Sequence, residues 1–176
     1  MSEPTLEDRF HLIGIGGAGM SVVAELLASR GATVEGSDRE DSAVLEHLRS
    51  VGVRVFVGHE ASHVDPDSVV VVSTAIREDN PELAIARTRG QLVIHRSQAL
   101  ALAATGMRFV GVAGAHGKTS TSGMLAIALA ECGLDPSVAV GGVLPQLGTG
   151  AHLGGGDVFV AEADESDGSF LNHSPA

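Results

Sequence analysis

The sequence predicts an α/β protein in which helices cover parallel β-sheets. Short aliphatic runs alternate with helical patterns along the 176 residues, and the run Val69–Val72 is typical of a strand that is buried on both faces. Apolar residues make up 44% of the chain and aromatic residues only 3%, so aliphatic strands and alanine-rich helices must fill the core. A strand–glycine loop–helix unit occurs twice, and the second starts at Phe109. We therefore expect one α/β domain over residues 1–105 and the start of another over residues 106–176.

The apolar periodicity predicts the elements in order. The expected strands are Phe10–Ile15, Thr33–Gly36, Arg54–Val57, Val69–Val72, Leu92–Ile94, Phe109–Ala113 and Asp157–Ala161. The expected helices are 20–30, Ser42–Ser50, one that begins at Asn80-Pro81 and ends before Gly90, Ala99–Ala104 and Thr119–Cys132. Val44 is expected to face inward, as are Met124 and Cys132. Seven glycines between Gly141 and Gly156 predict a flexible loop there.

Charge and cysteine content exclude some classes of function. The net charge is −11, and no basic face is visible, so nucleic acid is not an expected partner. The single cysteine, Cys132, cannot form an internal disulfide, which fits a reducing cytoplasm. No apolar run reaches the length of a membrane span, and the first residues lack the apolar core of a signal peptide. We expect a cytoplasmic protein that does not contact a membrane.

The first glycine loop matches Gly-x-Gly-x-x-Gly at Gly14, Gly16 and Gly19, between a strand and a helix. Asp38 ends the next strand, where an acid that binds a ribose is expected, so the first domain should be Rossmann-like. This motif predicts a diphosphate nucleotide without saying which one. NAD, FAD and other diphosphate nucleotides therefore remain open, as does a turn without any ligand.

The second glycine loop, Gly114–Ser120, contains Lys118, the only lysine of the chain. A strand leads into it, and Gly-Lys-Thr opens a helix, which is how a nucleoside triphosphate is commonly bound. Backbone N–H groups would surround the phosphates, the Lys118 ammonium would reach the outer phosphates, and the Thr119 hydroxyl would ligate Mg²⁺. The loop is a short variant, Gly-x-x-Gly-Lys-Thr.

Two further groups of residues are weaker candidates. Glu162–Asp167 is an acidic run at the end of a strand, and one of its acids is expected to face Mg²⁺. Most histidines, His59 and His63 among them, are expected on the surface. His116 lies inside the second loop. His95-Arg96, at the end of a strand, either contacts a substrate or only caps the strand.

The two unlike nucleotide loops together resemble the ATP-dependent Mur ligase family. The segments that carry the resemblance are Gly14–Met20, Gly36–Asp38, Asp79–Glu82, Gly114–Ser120, Gly133–Pro136 and Ala161–Asp167. They span nearly the whole chain. Within the family, His116 and the Glu162–Asp167 run look like the members that add L-alanine.

The resemblance implies a function for each loop. The first domain would bind UDP-N-acetylmuramate through Gly14, Gly16, Gly17, Ala18, Gly19, Met20, Asp38 and Ser73. The second would be the beginning of a P-loop central domain that binds ATP through Gly114, Ala115, His116, Gly117, Lys118, Thr119 and Ser120. Thr119 and Glu162 look like the metal positions, and Lys118, Glu162 and His116 like the catalytic group. The reaction implied is the first amino-acid addition in peptidoglycan precursor synthesis.

This sequence departs from the family pattern in two ways. Ala115 stands where the family usually has Thr, and Ser120 where it often has a second Thr. The family's further metal histidine, its carbamylated lysine, its adenine contacts and its C-terminal domain for the amino acid would lie beyond Ala176. We therefore expect a fragment that does not ligate by itself. An NAD(P)-dependent oxidoreductase and a non-catalytic nucleotide-binding module are the alternatives.

Overall fold

A computed structural model describes residues 3–162 of the chain. The first part alternates strands and helices. Its elements are β1 (Arg9–Ile13), α1 (Ala18–Ser29), β2 (Thr33–Asp38), α2 (Ala43–Ser50), β3 (Arg54–Val57), a 3₁₀ turn (Ala61–His63), β4 (Val69–Val72), α3 (Pro81–Thr88), β5 (Val93–His95) and α4 (Arg96–Ala103). The second part comprises β6 (Arg108–Val112), α5 (Lys118–Glu131), β7 (Ser137–Leu144), β8 (Thr149–His152) and β9 (Val158–Glu162).

The first five strands form one parallel sheet in the order β3-β2-β1-β4-β5. This confirms the predicted α/β class and the Rossmann-like arrangement. The chain adds strands on one side of β1 and then crosses to the other side, so the strand order switches between β1 and β4. A crevice forms at such a switch, beyond the carboxyl ends of the strands, and ligands bind there in open α/β sheets.

Alternating side chains give β1 two buried faces. Phe10 and Leu12 join the large core that contains α1, whereas Ile13 packs with Val70 and Leu83 on the other face. Both faces are covered by helices, so the strands are largely apolar, with His11 of β1 and Glu35 of β2 as buried exceptions.

The second sheet has the order β6-β9-β7-β8, with β7 and β8 antiparallel. The predicted flexible loop between Gly141 and Gly156 is therefore wrong, since much of it forms this hairpin. Its glycines permit close packing of backbones: a β-carbon at Gly150 would lie 2.5 Å from the Val140 carbonyl oxygen. Here glycine allows a tight strand pair rather than a mobile loop.

Helix α1 packs against both sheets. Its residues Val23 and Ala24 share one buried cluster with Ala139 of β7 and Phe159 of β9. A turn with Gly106 at φ +84° joins α4 to β6. The domain boundary at 105/106 stays a prediction, but the two sheets are separate and hold the two glycine loops in one packed body.

Three predicted inward positions are wrong. Val44 is 39% exposed, Met124 is 65% exposed, and Cys132 is exposed. Helix α5 instead buries Ser122, Gly123 and Ala126, because small residues let it approach β7 closely. A β-carbon at Gly123 would lie 2.7 Å from the Leu144 side chain. Within residues 3–162 no helix combines the length and the apolarity that crossing a membrane requires.

Candidate functional site

A cavity of about 610 Å³ lies at the switch point of the first sheet. It is lined by the loop after β1, the end of β2 and the segment after β4. All eight positions predicted to bind the sugar nucleotide line it: Gly14, Gly16, Gly17, Ala18, Gly19, Met20, Asp38 and Ser73. The structure thus brings together residues that are up to 59 positions apart in the sequence.

Asp38 fixes the shape of this loop. Its Oδ2 accepts a hydrogen bond of 2.7 Å from the Gly16 N–H, and its Oδ1 accepts one of 2.7 Å from the Arg39 N–H. A β-carbon at Gly16 would lie 2.9 Å from Oδ2 of Asp38 and 3.2 Å from the Leu45 side chain. Asp38 therefore supports the glycine loop in addition to lining the cavity.

The N-termini of the helices differ in how they are capped. The side chains of Ser42, Asn80 and His95 accept hydrogen bonds from the first turns of α2, α3 and α4. Helices α1 and α5 begin after Gly17 and Gly117, which provide no side-chain cap. Backbone N–H groups at such an end, together with the helix dipole, favour an anion. The two uncapped α-helices are the two that follow glycine loops.

The second loop has the backbone of a phosphate-binding turn. Gly114 has a φ of +150° and Gly117 a φ of +79°, values that a residue with a side chain rarely adopts. The Lys118 ammonium donates a hydrogen bond of 2.7 Å to the Gly114 carbonyl and so closes the loop. A bound phosphate would offer this ammonium a charged acceptor in place of a neutral one.

Glu162 lies beside the second loop, and β7 holds it there. The Gly141 N–H donates to Oε1 of Glu162 at 3.1 Å, and a β-carbon at the next residue, Gly142, would lie 3.1 Å from the Thr119 methyl carbon. Two successive residues of β7 thus contact Glu162 and Thr119, one each. Carboxylate and hydroxyl oxygens are the donors that Mg²⁺ accepts, with phosphate oxygens and waters completing its shell. The rest of the predicted acidic run, 163–167, lies outside the described residues.

No metal site built from protein side chains alone is visible. Within residues 3–162, no three His, Cys, Asp or Glu side chains are grouped so that they could hold a metal ion. A single carboxylate such as Glu162, beside the loop that contains Lys118, fits an ion that is held largely by a nucleotide.

A smaller cavity of about 140 Å³ connects the two loops. Gly19 of α1 and Arg96 of α4 line it together with Lys118 of α5 and Glu162 of β9. Gly19 and Arg96 also line the larger cavity. An acceptor held at the first loop and a triphosphate held at the second would meet here.

Other predicted residues lie at the edge of this arrangement. His116 is exposed, and neither it nor Ala115 or Ser120 lines the small cavity. Their part in the loop rests on its backbone.

Sequence reasoning missed a buried polar cluster on the face of the first sheet opposite α1. His11 is fully buried between Glu35 and Glu82, with Nδ1 3.5 Å from Oε1 of Glu35 and Nε2 3.6 Å from Oε2 of Glu82. His59 and His63, expected on the surface, lie 3.2 and 3.3 Å from the Glu82 carboxylate. One signal was available: His11 occupies an inward position of the alternating strand β1.

Burial and ion pairing act in opposite directions on this cluster. Burial by itself would lower the pKa of His11, but its contacts with Glu35 and Glu82 outweigh this, and the pKa of His11 is raised. Burial by itself would raise the pKa of Glu82, but His11 and Ser37 outweigh it, and the pKa of Glu82 is lowered. The contacts of each group therefore favour its charged form.

Comparison with known proteins identifies the family. Residues 9–108 match the Mur ligase family, catalytic domain. The chain belongs to the Mur ligase family. The match covers the first sheet and ends before the second glycine loop. Family membership favours a ligase over the alternative predicted from the first loop, an NAD(P)-dependent oxidoreductase.

Curated relatives agree with this assignment. The chain is 56% identical to UDP-N-acetylmuramate–L-alanine ligase from Renibacterium salmoninarum over 95% of its length, and 56% identical to the enzyme of that name from Streptomyces coelicolor over 98%. It spans 36% and 37% of those two proteins.

Solved structures of Mur ligases have the same fold. The UDP-N-acetylmuramate–alanine ligase from Thermotoga maritima superposes with a TM-score of 0.86 at 33% identity, covering 95% of this chain and 39% of that protein. The UDP-N-acetylmuramate:L-alanyl-γ-D-glutamyl-meso-diaminopimelate ligase from Neisseria meningitidis gives 0.88 at 29% identity, covering 96% and 58%.

Proposed function

We propose that this chain provides the sugar-nucleotide site and the triphosphate loop of an ATP-dependent ligase that joins L-alanine to UDP-N-acetylmuramate. The observation that carries the proposal is the small cavity that Gly19 of the first loop lines together with Lys118 of the second loop and Glu162 of β9. Two relatives at 56% identity bear the name of this ligase. The reaction would be the first amino-acid addition to the peptidoglycan precursor, in the cytoplasm, where ATP is available.

The first glycine loop would hold the UDP part of the substrate. The uncapped N-terminus of α1 offers N–H groups to the diphosphate, and Gly16 and Gly19 let the backbone approach it without side chains in the way. Asp38 and Ser73, at the ends of β2 and β4, would contact the uridine. This assigns residues 1–105 to the sugar nucleotide.

The second glycine loop would hold ATP, as part of a domain over residues 106–176 that continues in the full-length protein. The N-terminus of α5 and the Lys118 ammonium would bind the phosphates. The Glu162 carboxylate and the Thr119 hydroxyl would hold Mg²⁺, which would neutralise phosphate charge. His116 would shape the loop through its backbone.

The proposed reaction begins between two anionic groups, the muramoyl carboxylate and the γ-phosphate of ATP. A carboxylate oxygen of the muramoyl group attacks the γ-phosphorus, the bond to the β-phosphate oxygen breaks, and ADP leaves. The amine of L-alanine attacks the carbonyl carbon of the acyl phosphate, loses a proton, and phosphate leaves. Lys118 lowers the repulsion between carboxylate and phosphate, and the two sheets fix their approach. The residues that bind L-alanine would lie beyond this chain.

Nucleotide and product measurements on the full-length protein test the proposal. Calorimetry should show binding of UDP-N-acetylmuramate and no binding of NADH, and ADP should form over many turnovers only when L-alanine is added with ATP and the sugar nucleotide. A polypeptide limited to these 176 residues should bind the sugar nucleotide without forming ADP. Binding of NADH in preference to the sugar nucleotide would reverse the assignment of the first loop.

A further inference from the structure

Arg96 is the residue through which the two cavities meet. It is the first residue of α4 and lies at the carboxyl edge of the first sheet, directly after β5. Its guanidinium reaches across to α1: a β-carbon at Gly19 would overlap Nη1 of Arg96 and lie 3.3 Å from its Cζ. Gly19 and Arg96 line both the cavity of the first loop and the cavity that contains Lys118.

The charges around the larger cavity are arranged asymmetrically. Asp38, Glu40 and Asp41 line it after β2, and Arg96 is the only basic side chain among its described lining residues. Since β2 and β5 lie on opposite sides of β1 and β4, the acids and the arginine stand at opposite sides of the cavity. Anionic groups of a ligand are favoured on the Arg96 side, and groups that donate hydrogen bonds on the acidic side.

We propose that Arg96 is a substrate-binding residue whose guanidinium holds an anionic group of the sugar nucleotide at the junction of the two cavities. This inference rests on the proposed function. Two groups of UDP-N-acetylmuramate carry such oxygens, the diphosphate and the carboxylate that reacts. The small cavity favours the carboxylate, because Arg96 lines it together with Lys118 and Glu162. The planar guanidinium also suits a carboxylate, which it can bind through two parallel hydrogen bonds.

The role is distinct from those of the two loops. The N-terminus of α1 would bind the diphosphate, and Lys118 the triphosphate. Arg96 would orient the carboxylate between them, so its loss should weaken one ligand selectively.

Calorimetry on the full-length protein with two sugar nucleotides tests this inference. UDP-N-acetylmuramate carries the carboxylate, and UDP-N-acetylglucosamine has the same diphosphate without it. Arg96→Gln should lower the affinity for UDP-N-acetylmuramate by about 10- to 100-fold and leave the affinity for UDP-N-acetylglucosamine nearly unchanged. Hydrogen bonds to a charged group are lost only with UDP-N-acetylmuramate. The affinity of Arg96→Lys for UDP-N-acetylmuramate should lie between those of the unchanged protein and Arg96→Gln, because lysine keeps the positive charge but cannot form two parallel hydrogen bonds. Arg87→Gln is the matched control and should change neither affinity. Arg87 is an exposed residue of α3 that pairs with Glu78.

A second variant examines the contact with Gly19. Gly19→Ala would push the guanidinium aside, and it would also place a methyl group beside the diphosphate, so both sugar nucleotides should bind more weakly. The additional loss that is specific to UDP-N-acetylmuramate should disappear when Gly19→Ala is combined with Arg96→Gln. An equally large specific loss in the Arg96→Gln background would count against the placement of Arg96 over Gly19.

The outcomes separate this inference from the proposed function. If the unchanged protein binds UDP-N-acetylmuramate and Arg96→Gln binds it equally well, the inference is wrong and the proposed function stands. Equal losses for both sugar nucleotides, with unaltered thermal unfolding, would support an anion contact and place it at the diphosphate. Failure of the unchanged protein to bind either sugar nucleotide would overturn the proposed function itself.

Discussion

The Gly16 N–H donates a hydrogen bond of 2.7 Å to Oδ2 of Asp38, which ties the loop after β1 to the end of β2. The bond joins neighbouring parallel strands at the carboxyl edge of the sheet, where the larger cavity opens. Asp38 thus acts on the loop before any ligand arrives, and a residue predicted to contact a ribose also shapes the phosphate site. Changes at either residue should therefore affect loop and ligand together.

Gly16→Val should abolish binding of UDP-N-acetylmuramate. Its β-carbon would lie 2.9 Å from Asp38 Oδ2 and 3.2 Å from the Leu45 side chain, so the hydrogen bond and the close approach of the backbone to a diphosphate would both be lost. Calorimetry should show no measurable heat, while ATP binding at the second loop persists in the full-length protein. Gly90→Ala, at a turn with nothing near its β-carbon, is the control for a general effect of losing a glycine. Unaltered affinity in Gly16→Val would mean that the ligand does not use this loop.

Lys118→Ala should stop ADP formation and spare the sugar nucleotide. Removing a charged contact to the transferred phosphate costs about 2–4 kcal/mol, which corresponds to roughly two to three decades in rate. Lys118 does not line the larger cavity, so the affinity for UDP-N-acetylmuramate should stay within about twofold of that of the unchanged protein. Single-turnover ADP formation and calorimetry measure the two effects. A normal rate in this variant would show that Lys118 only closes its own loop.

The sequence predicted the elements whose apolar pattern is strong. The strands Arg54–Val57 and Val69–Val72 have the predicted bounds, and the glycine loops open helices as expected. Prediction failed where small residues carry the packing. The glycine-rich segment that we predicted to be a loop forms the β7–β8 hairpin. Helix α5 packs through Ser122 and Gly123 rather than through Met124. Small side chains give little hydrophobic signal, although they decide how closely backbones approach.

The candidate site shows the same division. Motif spacing predicted four of the positions that line the larger cavity, Gly14, Gly16, Gly19 and Asp38, since glycine turns and strand ends leave clear local signals. The family resemblance implied four more: Gly17, Ala18, Met20 and Ser73. The pairing of Gly19 with Arg96 depends on the approach of α4 to α1, and no local pattern reports it. The contact between His11 and Glu82 likewise joins residues 71 positions apart.

Gly36→Ala should destabilise the first sheet. The added carbon would overlap the Leu12 carbonyl oxygen and lie 2.7 Å from the Ile15 side chain, and the backbone of β1 cannot yield without disturbing the sheet. Such overpacking costs roughly 1–3 kcal/mol. A β-carbon at Gly31 would meet no atom within 4 Å, but the residue has a φ of +91°. Gly31→Ala should therefore lower the free energy of unfolding by only about 1 kcal/mol, through backbone strain. Urea unfolding measures both, and a smaller loss at Gly36 than at Gly31 would contradict the close-approach argument.

The buried cluster around His11 should make stability depend on pH. The folded-state pKa of His11 is raised, so its contribution is fully present below about 6.5 and is lost as the pH rises through the folded value. The folded-state pKa of Glu82 is lowered, so its contribution is present above about 4.5 and is lost as the pH falls through the folded value. Stabilisation by the pair is therefore greatest between about pH 4.5 and pH 6.5.

His11→Gln tests this dependence, because glutamine stays uncharged at every pH. It leaves Glu35 and Glu82 buried without their shared cation, and breaking a buried pair in this way costs about 3 kcal/mol. The other titratable groups around the cluster, Arg54, His59 and His63, remain in place. The difference in free energy of unfolding between the unchanged protein and His11→Gln should be largest near pH 5.5 and should shrink once the pH exceeds the raised folded-state pKa of His11. His47→Gln, which removes a more exposed pair with Glu25, should cost less than about 1 kcal/mol in both pH ranges. An equal loss for His11→Gln at pH 5.5 and at a pH above the folded-state pKa of His11 would show that His11 contributes by packing and not by its charge.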